Sequence, residues 1–361
     1  MCLFLFMSQF TQNLLAWYTI HKRKFPWREN INVYHTWICE IMSQQTTISV
    51  VLPRFKKFIS ELPNLNLLAE CSDEKLRELW AGLGYYARAR NLRIGAKYII
   101  EEHNSDFPKK RDDWLKVPGC GHYTASIISS ICFNERVACV DGNVIRVVSR
   151  LLNLQSNVWN RQGQNQILSF VTHKISDNNP GDFNQAMMDL GAMVCKKSNP
   201  NCFECPVNKF CLAYKNNSVS LCPPVKPRKT TQLESVFVFV FKNTSRLEYS
   251  LVERKNGLLS NTKGFPLVCS RDGFSLQDLL LKFKKFGLAA NYLENNFKHL
   301  ITHHKITGHV ILIEDANPKL LKDLFKELSF SQSEEWISLP NLKQNLSSSL
   351  DLKVLKILSS I

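Results

Sequence analysis

Four cysteines crowd into the seventeen residues from Cys195 to Cys211, CKKSNPNCFECPVNKFC, at the spacing C-x6-C-x2-C-x5-C. The Asn, Pro, Lys and Ser residues between them are too polar to bury, so the segment has no apolar core of its own to fold around. Reducing conditions disfavour a disulfide frame. A metal centre remains. Zinc sites usually take two close pairs of ligands, and only one C-x2-C pair is present here. Four thiolates at unequal intervals suit the faces of an iron–sulfur cubane better. Spacing alone leaves both open. Lys196, Lys197 and Lys209 would be held out to phosphates by a loop ordered in this way, or would simply be solvated.

The other eight cysteines, Cys2, Cys39, Cys71, Cys120, Cys132, Cys139, Cys222 and Cys269, are scattered, mostly in apolar stretches, and read as small core residues. No apolar run approaches the roughly 20 residues of a membrane span, so no membrane partner is expected. The opening MCLFLFM lacks the basic region and cleavage site of a signal peptide, and Met7 is an alternative start. The expected location is the cytoplasm, beside the nucleoid if the cell is bacterial.

Charge narrows the partners. The chain carries a net +15. Residues 1–222 hold 26 Lys and Arg against 18 Asp and Glu, a net of +8, and residues 223–361 hold 20 against 13, a net of +7. Both halves therefore suit a polyanion.

Periodicity divides the chain. Through FTQNLLAWY, WICEIMSQQTTISVVL, EKLRELWAGL, ARNLRIGAKYII and YTASIISSICF, apolar residues recur every three or four positions, which predicts helices. Residues 1–222 are expected to be all-α. CPPVKPRKT opens a Pro-rich, cationic linker placed at 223–233. From 234 to 361 the texture changes: SVFVFVF alternates as a strand, EYSLVER and GHVILIE are further strands, and SLQDLLLKFKKFG and NPKLLKDLFKEL read as helices. That part is expected to be a smaller α+β domain.

Two carboxylates stand in unlike settings. Glu40, in TWICEIMSQQT, is flanked by Trp37, Ile38, Ile41 and Met42. Apolar surroundings raise a carboxyl's pKa and keep it protonated, as a general acid requires near neutral pH. Gln44 is expected one turn on, on the same helical face. Asp141, in VDGNVIRVVSRLL, precedes an apolar-periodic run, where a helix dipole favours its anion. One proton donor and one anion fit chemistry that passes through a sugar cation. The alternatives are a buried Glu40 paired with an arginine and an Asp141 that merely caps a helix. In VPGCGHYTASII, Pro118, Gly119 and Gly121 make a tight turn before a helix. There, backbone N–H groups could meet a phosphate, unless the turn is an ordinary helix connection.

These pieces occur together and in order. FPWR, ICEIMSQQT, LWAGLGYYARARNL, VPGCGHYTASII, VDGNVIRV, FNQAMMDLGAMVC and the cysteine cluster span roughly residues 8–215. On them the chain resembles the adenine-specific mismatch DNA glycosylases of the helix–hairpin–helix superfamily. The resemblance implies a [4Fe–4S] cluster on Cys195, Cys202, Cys205 and Cys211. It implies excision of adenine paired with 8-oxoguanine or guanine in double-stranded DNA; the chain is expected to act as a monomer. By it, Glu40 protonates the flipped adenine, Asp141 stabilises the sugar cation, Tyr123 lies near Glu40, and Asn143 helps hold the site. Gln44 and Gln45 fall in the DNA-contacting ICEIMSQQT segment, and Gln45 and Tyr85 match wedge positions beside the lesion. Arg28 matches a pocket position, and Gly119 and Gly121 belong to the phosphate-gripping hairpin. Related bifunctional enzymes carry lysine where Tyr123 stands. A tyrosine has no amine to form an imine, so a monofunctional hydrolase is expected.

The pattern departs at Ser43, where leucine is usual, and at Ile145, where some relatives have lysine. Residues 234–361 resemble the Nudix-like lesion reader more loosely. FKHLITHH keeps His303 and a hydroxyl at Thr302, but has Ile301 and Thr302 where phenylalanine and serine are usual. No acidic R-E-x-x-E-E cluster is present, so pyrophosphohydrolase activity is not expected. Two rivals share much of this sequence: a DNA-binding iron–sulfur module without catalysis, and a thymine or uracil mismatch glycosylase of the same fold.

Overall fold

The computed structural model describes residues 2–360, apart from 228–229, 255–256, 261, 302, 317, 329, 331–333 and 347; for 2–8 and 318–319 it describes the backbone alone. The chain divides into two compact units, Met1–Pro227 and Arg228–Ile361.

Among the described residues of the first unit there is no strand. Its helices gather around large buried side chains, among them Trp37, Trp80, Trp114, Phe58 and Phe183. The helix Val33–Ser43 carries Glu40 through this core. Asn32 caps it by accepting the N–H of His35 at 3.0 Å, and Tyr34, Thr36, Trp37, Ile38, Cys39, Ile41 and Met42 are buried around it. It packs on the helices Ile48–Glu61, Ala87–His103 and His122–Phe133. The run WICEIMSQQTTISVVL is therefore two helices rather than one. The break falls at Gln44–Thr47, where Gln45 takes a positive φ of 56° and β-branched Thr46 and Thr47 follow.

The helix Pro180–Met193 passes behind the site and packs on Gly142–Leu151. A Cβ on Gly191 would come within 2.6 Å of Asn143 Cβ, so only glycine lets the two helices approach this closely at Asn143. The unit includes Cys222–Pro224, pinned by the Arg150 Nε donating to Cys222 O at 2.9 Å and Trp159 Nε1 donating to Pro224 O at 2.8 Å.

The second unit is a seven-stranded sheet: β1 Gln232–Asn243, β2 Glu248–Arg254, β3 Thr262–Gly264, β4 Leu267–Cys269, β5 Ala290–Ile301, β6 His304–Glu314 and β7 Glu334–Ser338. The order is β3-β2-β1-β6-β5, with β4 on β1 and β7 on β2; among the described residues, only the β1–β6 pair is parallel. The alternation of SVFVFVF explains why both faces of β1 are covered. Val236, Val238 and Val240 pack with Leu342, Leu350 and Val354, while Phe237, Phe239 and Phe241 pack with Leu279, Phe283, Leu321 and Phe325. Helices therefore lie on both sides of the sheet. Buried Asp351 pairs with Arg254 through bonds of 2.6 and 3.0 Å.

Candidate active site

Glu40 keeps intermediate solvent exposure, yet the protein packed around its carboxyl raises its pKa from 4.5 to about 7. Burial is the main cause. Arg28 and a hydrogen bond with Tyr123 pull the other way, and the Asp141 charge adds to the rise. Those influences bring Arg28, Tyr123 and Asp141, from three separate elements, to bear on one carboxyl carried by a fourth. The Tyr123 hydroxyl also donates to Met188 Sδ at 3.5 Å. Burial, then Glu40 and Asp141, hold the phenol well above its usual range, so Tyr123 is a neutral donor.

Asp141 is the N-cap of the helix Gly142–Leu151. Its Oδ1 accepts the Val144 N–H at 2.8 Å, and its Oδ2 accepts Asn143 Nδ2 at 2.8 Å. Capping does not exclude a second role, because the carboxylate that caps the helix also lies within the field of Glu40. Asn143 Oδ1 in turn accepts Arg146 Nη2 at 2.9 Å, and Arg146 donates to Cys195 O at 2.8 Å and Gly191 O at 2.7 Å. Two side chains thus tie the Asp141 carboxylate to the backbone of the cysteine loop.

Arg28 is half-buried and bound to Asp189, which the sequence reading did not single out. Gln44 is not on the Glu40 helix as expected. It has left helical geometry (ψ 113°), and its amide donates to Thr124 Oγ1 at 3.3 Å, bridging to the hairpin helix. Gln45 is exposed and Tyr85 is 58% exposed; both have positive φ, 56° and 48°, which few non-glycine residues adopt. Ser43 ends its helix, and its carbonyl accepts the Thr46 N–H at 3.2 Å.

In the hairpin, Gly119 takes φ +87°, closed to most side chains. Gly121 is the exposed N-cap of His122–Phe133 and offers no capping side chain, which leaves the first-turn N–H groups for an outside acceptor.

Cys195, Cys202, Cys205 and Cys211 line a single cavity together with Arg150, Val194, Pro200 and Tyr214. Arg150, nearly fully buried, donates to Cys195 Sγ at 3.2 Å and to Lys196 O at 2.7 Å, which shapes the loop. Among the described residues, no three His, Cys, Asp or Glu side chains converge on one point as the ligands of a single ion do.

Thr302 lies outside the described residues. In the second unit, residues 297–301 belong to β5, and the His303 ring lies 4.2 Å from that of His304. His304 Nδ1 meets Glu234 Oε1 at 2.8 Å. Arg88, Arg146, Arg150 and Asp189 escaped the sequence reading. Each is a charged residue beside or within an apolar helical run, and that was the available signal for a buried partner.

Residues 38–168 match the HhH-GPD superfamily of base excision DNA repair proteins. An adenine DNA glycosylase of Buchnera aphidicola (subsp. Baizongia pistaciae) is 35% identical, with 81% of this chain and 83% of that protein covered. The Homo sapiens adenine DNA glycosylase is 37% identical, covering 86% of this chain and 68% of that protein. Against the Arabidopsis thaliana adenine DNA glycosylase, the match spans only 46% of the relative's length. Among solved structures, a thermostable thymine-DNA glycosylase covers 58% of this chain and 97% of its own, with a TM-score of 0.53 at 24% identity, which supports a shared fold. Helical site and sequence relatives agree, and the chain belongs to the adenine DNA glycosylase family of helix–hairpin–helix base-excision repair proteins.

Proposed function

We propose that this chain hydrolyses the N-glycosidic bond of adenine paired with 8-oxoguanine or guanine in double-stranded DNA. The observation that carries the residue roles is the pairing of unlike carboxyls. Glu40 holds its proton up to about pH 7 within the field of Asp141, and Tyr123 hydrogen-bonds Glu40. With adenine flipped into this pocket, Glu40 donates its proton to the base and weakens the bond to the sugar. Asp141, fixed in place by the Val144 N–H and Asn143, stabilises the positive charge that develops on the sugar. Water completes the hydrolysis. Tyr123 has no amine, which supports a monofunctional enzyme. The bare hairpin N–H groups and the exposed Gln45 and Tyr85 support roles in gripping and wedging the duplex.

The four cysteines fit an iron–sulfur cluster. A cubane's four irons take one thiolate each from around a cage, whereas zinc draws all its ligands onto one centre. The gathering of all four thiols on one cavity, at the unequal spacing of the sequence, supports the cubane. When bound, the cluster would order residues 195–211. His303 and Thr302 remain the proposed lesion-reading positions of the second unit.

The test is adenine release from duplexes carrying 8-oxoguanine·A, G·A or a mispaired thymine. Glu40→Gln should bind the 8-oxoguanine·A duplex and release adenine at least ~100-fold more slowly. Wild-type protein that binds without releasing adenine would establish the non-catalytic module instead.

A further inference from the structure

Asp189 sits in the apolar run AMMDLGAM of the helix Pro180–Met193, and its side chain is fully buried. Its carboxylate receives two arginines. Arg23 donates to Oδ1 from Nε at 2.7 Å and from Nη2 at 2.6 Å, while its backbone N–H reaches Oδ2 at 3.1 Å. Arg28 donates from Nη1 to Oδ2 at 2.7 Å and from Nη2 to Oδ1 at 3.2 Å. Both guanidinium groups also lie 5.2 Å from the centre of the Phe25 ring. The planar forks and the ring leave Arg28 little freedom: its side chain is 14% exposed and also donates to Arg23 O at 3.3 Å. One carboxylate therefore serves two cations, and the triad keeps one positive charge overall.

That charge faces the proposed general acid. Among the described residues, Arg28 from the short helix Pro26–Glu29, Tyr123 from the helix His122–Phe133 and Asp141 ahead of the next helix act on Glu40, and Glu40 in turn is felt by the thiols of Cys39, Cys132 and Cys139. Burial keeps the phenol and the three thiols neutral. Arg28 and Asp141 are the charges left. We propose that Asp189 is a positioning residue of the glycosylase site: by clamping Arg23 and Arg28 together it fixes the Arg28 guanidinium beside Glu40 and sets how much positive charge the proton donor feels. This rests on Glu40 being that donor.

A purely structural salt bridge and a charge-setting one differ in the pH dependence of catalysis. Removing Asp189's charge makes the neighbourhood of Glu40 more positive, which favours its anion. Removing Arg23's charge does the reverse. In single-turnover adenine release by the full chain from an 8-oxoguanine·A duplex, the wild-type rate should fall as pH rises through about 7, where Glu40 loses its proton. Asp189→Asn should move that fall roughly half a unit lower, and Arg23→Met roughly half a unit higher. Arg23→Lys keeps the charge and should leave it in place. Opposite shifts support the assignment. A fall that stays put in both charge-removing variants, while wild type still works through Glu40, overturns it and leaves Asp189 a structural ion pair. No release by wild type, or undiminished release by Glu40→Gln, would instead sink the proposed function. If Asp189→Asn does not fold, Arg23→Met against Arg23→Lys decides alone, because the Arg23 side chain is 31% exposed and can be changed without opening the core.

Discussion

Glu40 works against the stability of the fold that holds it. An acid with its pKa raised from 4.5 to about 7 binds its proton more tightly in the folded state than in the unfolded chain. Between those pH values the folded state carries the extra proton, so stability falls as pH rises across the window and levels off above it. Each unit is worth about 1.4 kcal/mol. With the partial exposure of Glu40, a total of about 2 kcal/mol is the scale to expect. Glu40→Gln keeps the shape and removes the titration. It should therefore melt above wild type at pH 8 and close to wild type at pH 5, while losing activity at both. A variant that melts lower at pH 8 would show that the carboxylate is well solvated. Glu40 and Asp141 could be read in the sequence because their settings are local: apolar neighbours for one, the start of an apolar-periodic run for the other. Asp189 could not, because its partners Arg23 and Arg28 lie 166 and 161 residues away and nothing nearby in the sequence announces them.

At the scale of elements, one arginine joins two segments that were read separately. The helix Val33–Ser43 ends without a glycine cap, and its last carbonyls need donors. Arg88 supplies them. Its Nη1 donates to Ile41 O, Met42 O and Gln44 O at 2.8, 2.9 and 2.6 Å. Its Nη2 reaches Leu83 O at 2.8 Å and Gly84 O at 3.2 Å, as well as Thr46 Oγ1 at 3.2 Å. The guanidinium also lies 5.5 Å from the Trp80 ring and 5.7 Å from the Tyr85 ring. The backbone around Gln45 and Tyr85, both at positive φ, is thus fixed by a single fork. Arg88→Lys keeps the charge but cannot place donors on both segments. It should lower stability by about 2–3 kcal/mol, through buried carbonyls left without partners. It should also weaken binding to a mispaired duplex more than binding to a matched one, since Gln45 and Tyr85, proposed to wedge the duplex, lose their setting. Equal weakening on both duplexes would separate Arg88 from the wedge. The sequence marked Gln45 and Tyr85 through a resemblance; what holds them is a tertiary contact across more than forty residues.

For the molecule as a whole, periodicity was enough to separate a helical part from a sheet part. The period of two in SVFVFVF even shows up as a valine core on one face and a phenylalanine core on the other. The parallel β1–β6 pair and the break at Gln44–Thr47 were not legible, because each depends on segments meeting from far along the chain. Charge, by contrast, is spread over both halves and needs no fold to be read. It should govern how DNA is held more than how adenine leaves. Affinity for duplex should fall with salt by about 0.9 log units per log unit of salt for each phosphate neutralised, which gives a slope steeper than about −4 if five or more are engaged. Glu40 and Asp141 act on each other inside the protein, where mobile ions hardly screen them. The single-turnover rate with all DNA bound should therefore change less than about twofold between 50 and 200 mM salt, while the dissociation constant rises by more than ~100-fold. The two readouts, taken on one duplex across that range, separate surface charge from buried charge. A rate that fell in step with affinity would mean that the carboxyl pair is open to solvent ions, and the protonation chemistry would lose its basis.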